Sequence, residues 1–317
     1  MEKTAAIIGT GLIGRSWAMV FARAGWRVRL YDSVPAQLEA AATFIAASLA
    51  EQQDHGLVDD PVAARARIEY TPDLPAAVST ADWVQENLPE SLEHKRNVFA
   101  ALDRLAPTSA MLASSTSAIP ASQFTKPLAG RARCLVAHPV NPPHLVPIVE
   151  LCGAPWTATA TIERAFAMFE AIGQVPIVVR RELDGFILNR LQAALLSEAM
   201  RLVGEGFVSP DDLDKTVRDG LGLRWSFMGP FATIELNAPG GVADYCARYG
   251  EGLRRLAAAP PAPDVWVGDN AARVAAALGP PVGPAVLEQR MRWRDRRLMA
   301  LVAHKRRQTD PETKESP

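Results

Sequence analysis

Short apolar runs alternate with helical stretches along the first 180 or so residues, and then the texture changes. Ala5 to Ile8, Val28 to Tyr31, Trp83 to Asn87, Met111 to Ala113, Cys134 to Ala137, Ile148 to Leu151 and Val175 to Val179 are predicted strands. Between them lie segments with helical apolar spacing, such as Leu12, Ile13, Trp17, Met19, Val20 and Phe21, and an Ala-rich stretch from Pro35 to Gln53 that reads as one or two helices. A parallel sheet with crossover helices requires this alternation. After Arg181 no convincing strand follows. Asp184 is placed to cap a helix running to about Gly206, and Ser209-Pro210-Asp211-Asp212 signals the start of another. A final helix over Val282 to Arg307 puts Leu287, Met291, Leu298, Leu301 and Val302 on one face, with Arg294 on the same stripe. The expected fold class is α/β: a doubly wound sheet over residues 1–182, an all-helical domain over 183–308, and a polar tail, 309–317, expected to be disordered.

The first strand runs into T-A-A-I-I-G-T-G-L-I-G, whose Gly9, Gly11 and Gly14 fit G-x-G-x-x-G. Gly9 allows the tight turn from strand to helix, Gly11 lets the backbone approach a pyrophosphate, and Gly14 lets helix and strand pack closely. The phosphates then sit over the helix N-terminus at Leu12 and Ile13. Glycine-rich turns are common, so the spacing alone is weak. It gains weight from W-R-V-R-L-Y-D, a second predicted strand that ends on Asp32, about 20 residues on, where a ribose 2′-hydroxyl would lie. The acid selects NAD, because Ser33, Val34 and Pro35 supply no cation for a 2′-phosphate. The N-terminal domain therefore reads as Rossmann-type.

Composition narrows the class further. At 317 residues, 48% hydrophobic and 22% charged, the chain has an ordinary globular profile with room for two domains. No apolar run approaches the roughly 20 residues of a membrane span, and the early cofactor strand leaves no signal peptide, so a cytoplasmic enzyme without a membrane partner is expected. Cys134, Cys152 and Cys246 are widely spaced and lack a C-x-x-C pattern, so no zinc site and no disulfide framework is expected. A net charge of -1 gives no case for a nucleic-acid partner, and the basic last helix reads as a solvated cationic face over an apolar seam.

Oxidation of an alcohol by a nicotinamide needs a base, a group that fixes the base, and donors that hold the reacting oxygen. His138, in V-A-H-P-V-N-P-P, follows an apolar strand at its carboxyl end, where doubly wound sheets bind ligands. His55, His94 and His304 fall in helical or linker contexts and His144 in a loop. Glu150 ends the P-I-V-E run; an acid on an apolar strand needs a partner, and a carboxylate beside imidazole fixes its tautomer. Ser117 lies just past a strand and Asn189 one turn into the next domain's first helix, both able to donate to a substrate oxygen, while Asn141 is placed to shape the loop beside His138. Taken alone, Ser117 equally suits a helix cap and Asn189 a packing amide.

With these segments in view, the chain resembles the L-3-hydroxyacyl-CoA dehydrogenase family. G-T-G-L-I-G, S-S-T-S, H-P-V-N-P, I-V-E and D-G-F-I-L-N-R match its pattern in order and spacing over roughly residues 4 to 205. The resemblance implies Ser117, His138, Glu150 and Asn189 as the catalytic set, and Glu90 and Lys95, in L-P-E-S-L-E-H-K, as residues near nicotinamide and substrate, with a solvated helix face as the alternative for those two. The segment Asp219 to Gly241 is more similar to the lambda-crystallin and L-gulonate 3-dehydrogenase branch. That similarity implies a small free 3-hydroxy acid as substrate, with Arg224 as carboxylate clamp or, alternatively, an internal ion-pair residue. An acyl-CoA thioester, carnitine, or a structural NAD-binding role without turnover are the rival expectations. The apolar final helix and helical second domain suggest a homodimer.

Overall fold

The apolar runs become the strands of one sheet. In the computed structural model, which describes residues 3–308, β1 (Thr4–Ile8) leads to α1 (Leu12–Arg23), β2 (Arg27–Tyr31), α2 (Pro35–Asp54), α3 (Pro61–Ala66), β3 (Ile68–Thr71), α4 (Leu74–Val78) and β4 (Trp83–Glu86). There follow α5 (Leu92–Leu105), β5 (Met111–Ser114), α6 (Ser122–Thr125), β6 (Cys134–Pro139), β7 (Ile148–Gly153), α7 (Thr159–Ala171) and β8 (Val175–Val179). The sheet has eight strands in the order β3-β2-β1-β4-β5-β6-β7-β8. The chain leaves β1 toward β2 and later returns to its other side as β4, so a crevice opens at the carboxyl ends of these strands.

All pairings are parallel except β6 with β7. The connection over 140–147 is shorter than the dozen or more residues of a parallel crossover, so β7 folds back beside β6. β3 was not anticipated; its I-E-Y-T is only four residues long and sits at the sheet edge. Trp17, Phe21, Trp83 and Phe169 pack on one face of the sheet, and Phe99 with Phe124 on the other. The three cysteines are free, and burial pushes the thiols of Cys134 and Cys152 up to about 12.

The described residues form two compact units, one through Ile187 together with the segment from Pro284, the other Leu188–Gly283. The second is helical: α8 (Leu188–Gly204), α9 (Pro210–Lys215), a π-helical turn Thr216–Leu221, α10 (Gly222–Trp225), α11 (Pro230–Glu235), α12 (Gly241–Ala257) and α13 (Gly268–Leu278). Ser209 caps α9 as expected, its Oγ accepting from the Asp212 amide at 3.1 Å. The expected Asp184 cap is not observed. Gly185 and Phe186 have φ of 75° and 48°, a left-handed turn that delays α8 to Leu188.

The last helix, α14 (Pro284–Arg307), groups with the first unit and not with the helical one. It buries Met299 against Leu57 and Leu145, with Leu298 and Val302 alongside, and Arg306 donates to the Leu57 carbonyl at 3.3 Å. Leu287 and Leu301, expected on the seam, are exposed, because the partner surface is confined to the neighbourhood of Leu57 and Leu145. The 309–317 tail lies outside the described residues.

Candidate active site

The glycines divide their work as the motif demands. Gly9 turns with φ 93° and donates to the Tyr31 carbonyl at 2.8 Å. A Cβ on Gly14 would stand 1.8 Å from the Gly9 carbonyl oxygen, so α1 packs on the turn only because that atom is absent. Gly11 differs, since nothing lies within 4 Å of its Cβ position. No side chain caps α1, which leaves the amides of its first turn, at Leu12 and Ile13, directed at that open space. Asp32, just past β2, is fixed beside the turn: one carboxylate oxygen accepts from the Thr10 amide at 3.1 Å and the Thr10 hydroxyl at 2.7 Å, the other from the Val34 amide at 3.1 Å. Open backbone over a helix N-terminus, with a held carboxylate at the next strand end, fits a dinucleotide with a free ribose 2′-hydroxyl.

His138 and Glu150 meet through the antiparallel strand pair. Their Cα positions are register partners on β6 and β7, and Nδ1 lies 2.7 Å from the Glu150 Oε2. Both are buried, at 5% and 1% exposure. The other carboxylate oxygen accepts from the Ile187 amide at 2.8 Å. Phe186, in its left-handed turn, is fully buried against the imidazole at 5.6 Å between ring centroids. With Nδ1–H donating to carboxylate, the neutral ring carries its lone pair on Nε2, as a general base requires.

Ser117 follows β5 on a half-buried turn, and its amide donates to the Glu90 Oε2 at 3.3 Å. Glu90, exposed, also accepts from the Thr116 hydroxyl. Lys95 does not take the alternative of a solvated helix face. At 1% exposure its ammonium lies 3.0 Å from the Glu86 Oε2 and 3.3 Å from the Ser114 Oγ. Its position in the first turn of α5 directs it to the carboxyl ends of the central strands β4 and β5, where the Glu86 carboxylate is the only buried anion it meets among the described residues.

Asn141, exposed, lines a cavity of about 630 Å³ together with Leu12, Arg15, His144, Arg294 and Asp295. His144 is a residue the sequence did not single out. Ser16 donates to the Leu12 carbonyl at 2.7 Å, so the His144 Nδ1 donates to the Ser16 Oγ at 3.0 Å and Nε2 accepts from Ser48 at 3.4 Å. Burial first, then the charges of Arg23, Arg15 and Arg294, push this imidazole down to about 3. The ring ties α1 and α2 to the loop that follows His138. Asn189, second residue of α8, and Arg224, exposed on α10, belong to the helical unit.

Two family models match the chain: the NAD binding domain of 3-hydroxyacyl-CoA dehydrogenase over residues 4–183 and its C-terminal domain over 185–267. A lambda-crystallin homolog of Bos taurus is 45% identical over 94% of this chain and 94% of its own length. A 3-hydroxyacyl-CoA dehydrogenase of Gibberella moniliformis is 35% identical over 94% of this chain and 85% of its own. Among solved structures, a 5-formyl-3-hydroxy-2-methylpyridine 4-carboxylic acid 5-dehydrogenase, described as an NAD+-dependent dismutase, matches with TM-score 0.81 and 30% identity, over 95% of this chain and 97% of that one.

Proposed function

The chain belongs to the 3-hydroxyacyl-CoA dehydrogenase family, NAD-dependent oxidoreductases acting on CH–OH groups, and from that premise we propose that it oxidises the 3-hydroxyl of a small free acid, of the L-gulonate or short 3-hydroxyalkanoate type, to the 3-keto acid. The observation that carries the chemistry is the buried His138–Glu150 pair at 2.7 Å. His138 takes the hydroxyl proton on Nε2, and Glu150, anchored by the Ile187 amide, holds the ring and stabilises the imidazolium that results. Ser117 and Asn189 donate to the oxygen as it becomes a carbonyl, Asn141 shapes the loop beside the base, and Arg224 anchors the carboxylate. NAD, when bound over Gly9, Gly11 and Gly14 with Asp32 on its ribose, supplies the hydride acceptor.

Support for a free acid comes from three directions. Similarity to the lambda-crystallin homolog extends over nearly the whole chain, and the named substrate of the structural relative is itself a carboxylic acid. Arg224 is exposed, just after a π-helical turn of the kind frequent at functional sites, and among the described residues no ion pair engages it. An internal ion-pair role is therefore the weaker account. The thioester reading keeps its support from the Gibberella relative. Against a structural role without turnover stands the intact base and its carboxylate. In the helical unit, an apolar stripe on α12 suits a second copy of this chain and supports a homodimer; a cytoplasmic location is part of the same proposal.

NAD reduction measured against free 3-hydroxy acids, aldonates, carnitine and 3-hydroxybutyryl-CoA tests the substrate class. Truncating a charge pair that is desolvated once substrate binds costs about 2–5 kcal/mol, so Arg224→Met should lower kcat/KM on free acids by tens to thousands of fold while NAD affinity and melting temperature stay near those of the parent. A parent that prefers the thioester, or a variant that melts earlier with its substrate preference intact, returns Arg224 to a structural role and the enzyme to acyl-CoA substrates.

A further inference from the structure

Three buried polar groups beneath the site hydrogen-bond to one another and to the turns above them, and among the described residues to neither His138 nor the glycine turn. Glu86 and Ser114, the last residues of β4 and β5, are fully buried, and Lys95 nearly so. Glu86 Oε2 accepts from the Ser114 Oγ at 2.6 Å, and Lys95 lies within 3.2 Å of both carboxylate oxygens. A pair of charges at this depth is a poor way to gain stability, because its desolvation offsets its attraction and a hydrocarbon pair of similar volume serves as well. What the charges add is direction. Glu86 Oε1 accepts from the Leu88 amide at 2.7 Å, and the Ser114 Oγ accepts from the Thr116 amide at 3.1 Å, so the turns after β4 and after β5 hang from one carboxylate.

The same two turns are joined again at their outer ends. Ser115 donates to the Asn87 side chain at 2.7 Å, the Thr116 hydroxyl to Glu90, and the Ser117 amide to Glu90 at 3.3 Å. Ser117 is thus located by a closed frame whose root is the buried triad. We propose that Glu86, Lys95 and Ser114 are positioning residues that set the height and angle of the Ser117 turn above the sheet; this rests on the reading of Ser117 as a donor to the reacting oxygen. Lys95 acts by gripping both carboxylate oxygens of Glu86, which fixes the plane from which the carboxylate accepts the Leu88 amide and the Ser114 hydroxyl.

Steady-state kinetics, NAD binding and melting temperature of three single variants and two combinations test this. Lys95→Met alone strands a buried carboxylate and should lower both melting temperature and kcat. Glu86→Leu/Lys95→Met should regain the parental melting temperature while kcat stays about 10- to 100-fold low, the scale of a small misplacement of a reacting group. Ser114→Ala, which removes one hydroxyl and leaves the ion pair, carries the test if the Lys95 variant does not fold. It should lower kcat with NAD affinity unchanged, and Ser114→Ala/Ser117→Ala should be no slower than Ser117→Ala, because Ser114 acts through Ser117. Recovery of full kcat in the Glu86/Lys95 double variant, or Ser114 and Ser117 effects that multiply, overturns the proposal. A fully active Ser117→Ala overturns the Ser117 assignment and with it the proposal, and is told apart from the positioning failure because it shows in that single variant.

Discussion

Glu150 spends one carboxylate oxygen on His138 and the other on the Ile187 backbone, so the imidazole is held from two elements at once. Replacing His138 by Asn should lower kcat by about 10²- to 10⁴-fold, the usual scale of a general base, with NAD binding retained. Glu150→Gln acts on the same step, so the double change should cost less than the product of the single ones in a kinetic cycle. These two residues were legible because an acid on an apolar strand demands a partner. Glu86, in W-V-Q-E, carries the same signal, but its charged partner, Lys95, lies on α5 and the Ser114 hydroxyl on β5 is too common a side chain to announce a pairing. His144 was invisible for a related reason: its burial comes from Ser16 and Ser48, far away in sequence. It has a consequence for pH. The folded chain keeps His144 neutral down to about pH 3, whereas the unfolded chain protonates it near 6.5. Above pH 6.5 the two states bind alike; as pH falls from 6.5 toward 3 only the unfolded state gains the proton, and stability drops. His144→Gln should flatten that part of the profile, read as denaturant midpoints between pH 7 and 4, and identical slopes in parent and variant would remove His144 as its source.

At the level of elements, the strand–turn–helix that opens the chain separates two kinds of glycine. Gly14→Ala places a methyl 1.8 Å from the Gly9 carbonyl oxygen, a backbone atom with no rotamer to escape into, and α1 must shift. Overpacking of this sort costs about 1–3 kcal/mol, so the variant should melt at a lower temperature and lose NAD affinity with the displaced helix. Gly11→Ala meets nothing within 4 Å, so its melting temperature should match the parent while its NAD dissociation constant rises, because the methyl occupies only the space the pyrophosphate needs. Equal melting losses in the two variants would refute that division. The motif's spacing announced this element, but it could not announce β3, whose four residues are strand only because β2 offers an edge. Nor did the helix signal at Asp184 survive. Burying Phe186 against His138 forces a left-handed turn that local propensity does not show.

For the chain as a whole, sequence order misled about grouping: α14 comes last yet groups with the sheet-bearing unit, because Met299 finds Leu57 and Leu145 in its loops. No local pattern distinguishes that seam from one within the helical unit. The helical unit raises a different matter, the apolar surface it presents. On α12, Val242, Tyr245, Tyr249, Leu253 and Leu256 recur at three- and four-residue spacing and so share one face, while Asp244–Arg248 and Glu251–Arg254 ion pairs occupy the opposite one. Leu256 is 75% exposed, and Tyr249 and Leu253 about half. A contiguous apolar stripe on a helix with an intact polar back marks an interaction surface more often than an accident of composition. A second copy of the chain covers it in the homodimer proposed above, each copy burying roughly 800 Å² if the interface is of ordinary size. Sedimentation equilibrium at micromolar concentration should therefore report twice the 34.2 kDa of the chain. Leu253→Arg/Leu256→Arg should report a monomer that still binds NAD, since both side chains are already exposed within the chain and exposed substitutions typically change stability by about 0.5 kcal/mol or less. A parent that stays monomeric, or a variant that stays dimeric, would show that α12 is not the surface through which the chain associates.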